Sequence, residues 1–201
     1  MNQPWDKCGS LSVEQIRTKL AKIKPPNWDL SHGVSLRSAA VLVPLACDHG
    51  DLHLLFTRRT DLVHDHKGQV AFPGGAVEPQ DSSVVDTALR ETYEEIGIPP
   101  EEICVLGHLP AFPTITGFLI CPVVGMIPWP YDLHLSQQEV SRVFTVPFQW
   151  LADPANRIEN EMILPGGRLE KVIFFNEFDG EKVWGATARI AMYFLKSIAG
   201  N

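Results

Sequence analysis

Apolar positions in the first part of the chain recur at helical spacing. Val13, Ile16, Leu20 and Ile23 follow Ser12, a residue suited to capping, and predict a helix over residues 12–22. A stretch rich in Pro, Asn and Gly, KPPNWDLSHG, then predicts a loop or arm over residues 24–33. From Ser38 the pattern changes: SAAVLVPLAC, a polar tip DHGD and LHLLFTRR read as two buried strands joined in a hairpin at His49-Gly50. Gln69 to Phe72 predicts a short strand. A helix follows over Ser82 to Ile96, with Asp81, Ser82 or Ser83 as its cap, Gly97 at its end and Pro99-Pro100 forbidding continuation. Strands are predicted over Ile103 to Leu109, Phe118 to Met126, Ser141 to Val146 and Lys171 to Asn176. A short helix over Pro147 to Asp153 and a closing helix over Ala186 to Ile198 complete the pattern. Helices before, amid and after mixed strands predict an α/β layered sandwich with a mixed sheet.

Length and charge narrow the function classes. The chain has 201 residues, enough to bury one core without disulfides or a structural metal. Its formal charge is −7, and no basic run supplies the cation surplus that phosphate-backbone binding requires, so an unspecific nucleic-acid binder is excluded. The longest apolar stretches are about half of the ~20 residues a spanning helix needs, and the first residues lack a signal-peptide core, so a cytoplasmic protein with no membrane partner is expected. Cys8, Cys47, Cys104 and Cys121 are scattered without a C-x-x-C pair, which argues against a zinc site and for reduced thiols.

The chemistry is concentrated on the helix at residues 82–96. Glu91, Glu94 and Glu95 lie on one face by the i, i+3, i+4 rule, while Val85, Ala88, Leu89, Thr92 and Ile96 form a stripe that can pack onto a sheet. Like charges at this spacing destabilise a helix unless something neutralises them, and a hard divalent cation such as Mg²⁺ or Mn²⁺ suits carboxylate oxygens. Gly74-Gly75 just upstream allows a sharp turn or close approach of backbone to a ligand, and Arg58, Arg59 and Lys67 precede it.

The run REtyEEiGI, Arg90 to Ile98, resembles the box of the Nudix hydrolases, G-x5-E-x7-R-E-U-x-E-E-x-G-U, with U a bulky apolar residue. The glutamates, arginine and glycine fall at the required offsets, with Thr92 at the first U position. One departure precedes them: Asp81 stands where the pattern has its first glutamate, and eight residues rather than seven separate it from Arg90. The resemblance implies a Nudix-type α/β/α sandwich over residues 34–201, with residues 1–33 as an N-terminal helix and arm. It implies Mg²⁺ or Mn²⁺ held by Glu91, Glu95 and Glu94, with Arg90 orienting a glutamate. The catalytic set is then Glu94, Glu95, Arg90 and Glu139, with Glu94 or Glu139 as the base that activates water; Glu139 lies where several Nudix enzymes place an extra ligand or base.

Upstream, LFTRRTDLVHDHKGQVAFPGG, Leu55 to Gly75, is similar to the signature of the coenzyme A pyrophosphatase subfamily, L-L-T-x2-S-x3-R-x3-G-x3-F-P-G-G. Thr57, Gly68, Phe72, Pro73, Gly74 and Gly75 match; Phe56, Thr60 and His64 replace Leu, Ser and Arg. This resemblance implies hydrolysis of coenzyme A or an acyl derivative to 3′,5′-ADP and 4′-phosphopantetheine. Arg58, Arg59, His64, Lys67, Gly74 and Gly75 are the expected substrate-binding residues. The alternatives are a pyrophosphatase of ADP-ribose or another nucleoside diphosphate derivative, to which Pro113 lends a faint likeness, and a Nudix module that binds such a ligand without hydrolysing it. A small nucleoside diphosphate is the expected partner, and a homodimer is a reasonable expectation because most soluble oligomers are symmetric dimers.

Overall fold

The computed structural model describes residues 8–9, 11–24, 36–61, 67–163, 167 and 169–199. Residues 25–33 of the arm predicted over 24–33, and the loop residue His64, lie outside them. Helix α1 spans Val13–Leu20; Ser12 caps it in a reciprocal box with Gln15, each side chain bonding the other's backbone N–H. The predicted hairpin is strands β1 (Arg37–Asp48) and β2 (Asp51–Arg59), antiparallel, with Asp48 opposite Asp51 across the His49-Gly50 tip.

These two strands stay paired only near their tip. Register runs from Asp48↔Asp51 to Leu45↔Leu54 and then stops. Beyond that point the chain at residues 70–76 fills the gap: β3 (Val70–Ala71) pairs with Arg58 and Thr57 of β2, and β4 (Gly74–Ala76) pairs with Val41, Ala40 and Ala39 of β1. Phe72-Pro73 crosses the seam, where the Pro73 carbonyl accepts from the Leu42 N–H at 2.9 Å. Neither β4 nor the crossing is visible as a strand in the sequence, because a Gly-Gly-Ala segment has no alternation to read.

Helix α2 (Val84–Ile96) follows directly. Ser83 is its cap, accepting from Asp86 N–H, and Gly97 ends it at φ 80°, the left-handed geometry that glycine adopts without strain. After a single 3₁₀ turn at Pro100–Glu102 come β5 (Cys104–His108), β6 (Phe112–Pro113) and β7 (Phe118–Met126). β7 runs parallel to β1 from Arg37↔Phe118 to Leu45↔Met126, and β5 and β6 lie antiparallel to β7. β8 (Val140–Pro147) pairs antiparallel with β2 along its outer edge. Helix α3 (Phe148–Ala152) and a 3₁₀ turn at Pro154–Asn156 lead to a separate hairpin of β9 (Arg157–Ile163) and β10 (Leu169–Phe175), and α4 (Gly185–Ile198) closes the chain. The polar, exposed β9 was not expected from its sequence, RIENEMI.

Among the described residues eight strands form one mixed sheet with helices on both faces. Alternation along the strands divides the core accordingly. Val43, Leu45, Leu54 and Phe56 join α1 and α4 residues such as Ile16, Leu20, Ala191 and Phe194 on one face. Ala40, Leu42, Ala46 and Leu55 join Ala88, Ile96 and Ile98 on the α2 face. The expected stripe on α2 is the packing face: Ala88 and Ile96 are wholly buried, with Val85 and Leu89 packed beside them.

Candidate active site

Arg90 is the centre of the site's frame. Its Nε and Nη2 donate to the two carboxylate oxygens of Asp81 at 2.9 and 3.0 Å, and Nη2 also reaches the Ala76 carbonyl at 3.2 Å. Nη1 donates to Glu91 at 2.9 Å and to Glu94 at 3.1 Å. Asp81 is held in turn by the Glu78 N–H at 2.9 Å and the Thr87 hydroxyl at 2.8 Å. Its side chain is 3% exposed, and the guanidinium of Arg90 holds its carboxyl well below the usual carboxylate range. The residue that departs from the box pattern is therefore a partner of the box arginine; the longer spacing is absorbed by a loop pinned at Glu78 and at Thr87. The box glutamates that Arg90 bonds are Glu91 and Glu94.

The three box glutamates do not share one environment, as a single solvent-facing acidic surface would require. Glu94 is exposed, Glu91 is half-buried, and Glu95 is buried at 3% exposure. Glu95 lies under the glycine turn, where its Oε1 accepts from the Gly74 N–H at 3.4 Å. Burial pushes its carboxyl up to about 8; the Gly74 N–H and Arg59 oppose that shift, while the charges of Glu139 and Glu91 add to it. Glu91 is raised as well, mainly by burial, against the pull of Arg90 and with Glu94 and Glu139 adding. Backbone leaves no room for a side chain at Gly74, whereas at Gly75 a side chain would displace the Glu91 carboxylate. A Cβ on Gly75 would lie 2.3 Å from a Glu91 carboxylate oxygen, and one on Gly74 would lie 2.4 Å from the Ala40 carbonyl oxygen.

Glu139 reaches this centre from another part of the chain. Residues 131–139 pass over the end of α2, where the His134 and Ser136 N–H groups donate to the Ile96 and Glu95 carbonyls at 3.1 and 2.9 Å. The Glu139 N–H then bonds the Ser136 carbonyl, and its own carbonyl accepts from the Thr60 N–H at 2.9 Å. Glu139 thus joins Glu91 and Glu95 in mutual electrostatic reach.

The basic residues part company. Arg58 turns to the α4 face, where its Nη1 donates to the buried Glu181 at 3.3 Å. Arg142 of β8, opposite Arg58, shares Glu181 at 3.1 Å and also bonds Asp179. This acidic pair, Asp179 and Glu181, went unmarked in the sequence, since a turn of mixed charge carries no periodic signal. Arg59 lies across the strand, within electrostatic reach of Glu95. Lys67 is exposed, and His64 falls outside the described residues.

Among the described residues no three His, Cys, Asp or Glu side chains already form a metal cage. The donor chemistry nonetheless fits a hard divalent cation. Glu91, Glu95 and Glu139 lie in mutual electrostatic reach, and the first two have raised pKa values because burial and like charge outweigh the nearby donors.

The comparisons agree with this arrangement. A NUDIX domain model matches residues 36–163. An uncharacterized Nudix hydrolase, NudL, of Pectobacterium atrosepticum is 41% identical over 183 residues, covering 90% of this chain and 92% of its own. The protein of the same description from Klebsiella pneumoniae subsp. pneumoniae is 49% identical over 138 residues, 69% of this chain and 70% of its own. Among solved structures, a MutT/nudix family protein from Enterococcus faecalis aligns over 94% of this chain and 69% of its own with a TM-score of 0.52 and 17% identity, a likeness of fold. The split sheet, the arginine-framed glutamates and these matches lead to one conclusion: the chain belongs to the Nudix hydrolase family, whose members hydrolyse pyrophosphate bonds in small nucleotide derivatives, generally with divalent metal ions.

Proposed function

We propose that this Nudix hydrolase cleaves the diphosphate of coenzyme A or an acyl-CoA, releasing 3′,5′-ADP and (acyl-)4′-phosphopantetheine. The observation that carries the reading is the run from Leu55 to Gly75. Its matching residues Thr57, Gly68 and Phe72 to Gly75 lie along β2, in the segment before β3 and in the crossing into β4, where the Gly74 N–H bonds Glu95.

Glu91 and Glu95 are the best metal ligands, with Glu94 or Glu139 completing the set. Mg²⁺ or Mn²⁺, when bound, lowers the pKa of the attacking water and offsets the charge of the phosphates. Arg90 keeps Glu91 and Glu94 oriented. The attacking water forms a bond to one phosphorus, the bridging P–O bond breaks, and the departing phosphate leaves with the electron pair. The proton of that water passes to a carboxylate oxygen. Position favours Glu139 over Glu94 for this step, because Glu94 is exposed and bonded to Arg90 whereas Glu139 is grouped with Glu91 and Glu95.

The test is product analysis with the purified protein and Mn²⁺: 3′,5′-ADP released from coenzyme A is compared with AMP released from ADP-ribose. Preference for coenzyme A supports the reading; equal or faster ADP-ribose cleavage overturns it. Glu95→Gln is expected to lower turnover by a factor of about 100 or more while keeping the native circular-dichroism spectrum. Full activity in that variant sinks the metal-site assignment.

A further inference from the structure

We infer that Arg59 is the group that grips the substrate's diphosphate: a guanidinium on the α2 side of the sheet, within electrostatic reach of Glu95, whose buried Nε has no hydrogen-bond partner among the described residues. The inference rests on the reading of the chain as a diphosphate hydrolase and adds to it which of the basic residues handles the reacting phosphates.

Alternation along β2 separates the two neighbouring arginines. Leu54 and Phe56 pack with α1 and α4, Leu55 packs with α2, so Arg58 continues the first face and Arg59 the second. Arg58 is tied to Glu181, and Arg142 to Glu181 and Asp179. Arg90 is occupied by Asp81, Glu91 and Glu94. Among the described residues the buried Nε of Arg59 has no hydrogen-bond partner. A buried N–H without an acceptor is rare in native proteins and marks a place where an absent acceptor belongs.

The backbone around Arg59 is nevertheless firmly set. Its N–H donates to the Gln69 carbonyl at 2.9 Å, and the β2–β8 register shifts between Arg58 and Arg59. At that irregularity the Ser141 hydroxyl lies 3.1 and 3.4 Å from the carbonyl oxygens of Arg58 and Arg59, and the Thr60 N–H takes the Glu139 carbonyl. Such irregularities re-aim side chains beside functional sites. Here the same one fixes Arg59 and Glu139 together next to Glu95. A planar guanidinium matches two phosphate oxygens at once, which an ammonium cannot do. With Glu95 within its electrostatic reach, Arg59 would hold a diphosphate beside the carboxylates proposed to take metal.

The experiment uses Arg59→Ala and Arg59→Lys in the full chain, with three readouts. For turnover of coenzyme A with Mn²⁺, Arg59→Ala is expected to lose a factor of about 100 or more in kcat/KM, chiefly in kcat, and Arg59→Lys about 10 or more. Added guanidinium ion is expected to restore part of the Arg59→Ala rate and none of the wild-type rate. Calorimetry with inorganic pyrophosphate and no metal is expected to give affinity at least about tenfold weaker in both variants. Arg59→Lys keeps the charge and tests the fork even if Arg59→Ala folds poorly. Wild-type rate in Arg59→Lys, or an Arg59→Ala that folds, turns over within threefold of wild type and binds pyrophosphate unchanged, overturns the inference. If the wild-type protein cleaves no nucleoside diphosphate derivative, the hydrolase reading fails instead, and pyrophosphate binding still tests Arg59.

Discussion

Replacing Asp81 by Asn removes the charge against which Arg90 is set, while most of the loop's shape remains. With the Asp81 side chain 3% and the Arg90 side chain 18% exposed, the loss is expected to be about 1–3 kcal/mol, since two charge-assisted hydrogen bonds are weakened while Glu91 and Glu94 still neutralise the guanidinium. Thermal or denaturant unfolding measures it. The pH dependence follows from the depressed carboxyl: the pair contributes fully above about pH 4, the ordinary carboxylate range, and its contribution fades as pH falls below that. Wild-type and Asp81→Asn melting curves should therefore differ most near neutrality and converge in acid; a constant gap down to pH 2 refutes the assignment. At this scale the sequence reveals the identity of the acidic and basic residues but not their pairing. The eight residues between Asp81 and Arg90 looked like a break in the motif, because spacing alone does not show that a loop can bulge and still return its carboxylate to the helix.

At the scale of elements, the Gly74-Gly75 turn offers two substitutions with opposite consequences. Gly74→Ala drives its Cβ into backbone, 2.4 Å from the Ala40 carbonyl oxygen and 2.6 Å from the Val41 Cα, so it is expected to destabilise the sheet by about 1–3 kcal/mol or more. Gly75→Ala meets only the movable carboxylate of Glu91, at 2.3 Å, so its expected effect falls on function: kcat lower by a factor of about 10 or more with the melting temperature little changed. Parallel melting and turnover measurements separate the two, and a Gly75→Ala protein with wild-type kcat and metal affinity would remove Glu91 from the site. The helices and long strands were legible in advance because their apolar periods are long: Phe118–Met126 was read with its observed ends, and α2 with its Gly97 stop. β4 and β6, three and two residues of Gly-Gly-Ala and Phe-Pro, were not legible, since their pairing is decided by the gap they fill rather than by their own pattern.

For the whole molecule, the N-terminal helix is part of the same core. Ile16 and Leu20 are 1% exposed among residues of β5 and α4, and Arg17 donates to the Val105 carbonyl at 3.2 Å. Leu20→Ala is expected to cost about 2–5 kcal/mol of stability while kcat stays at its wild-type value, because α1 and the carboxylate centre lie on opposite faces of the sheet. Denaturant unfolding alongside turnover checks this; a fall in kcat without a fall in stability contradicts it. The charge of −7 that excluded nucleic acid as an unspecific partner does not oppose a small phosphorylated ligand. Glu91, Glu95 and Glu139 lie in mutual electrostatic reach, and a divalent cation bound there would reverse their sign for such a ligand.

The parting of β1 and β2 gives this arrangement a lever. The strands are joined at the His49-Gly50 tip and paired to Leu45↔Leu54, and beyond that they are linked through residues 70–76, with Arg59 on β2 and the glycine turn against β1. Arg59 stands five residues past the last paired position, about 17 Å along the strand, so a change of about 5° between the strands moves it by about 1.5 Å. A displacement of that size is enough to alter the rate of a positioned reaction by orders of magnitude. The angle between the strands, set by their pairing near the tip and by the crossing at Phe72-Pro73, is thus one determinant of the spacing between Arg59 and the carboxylates.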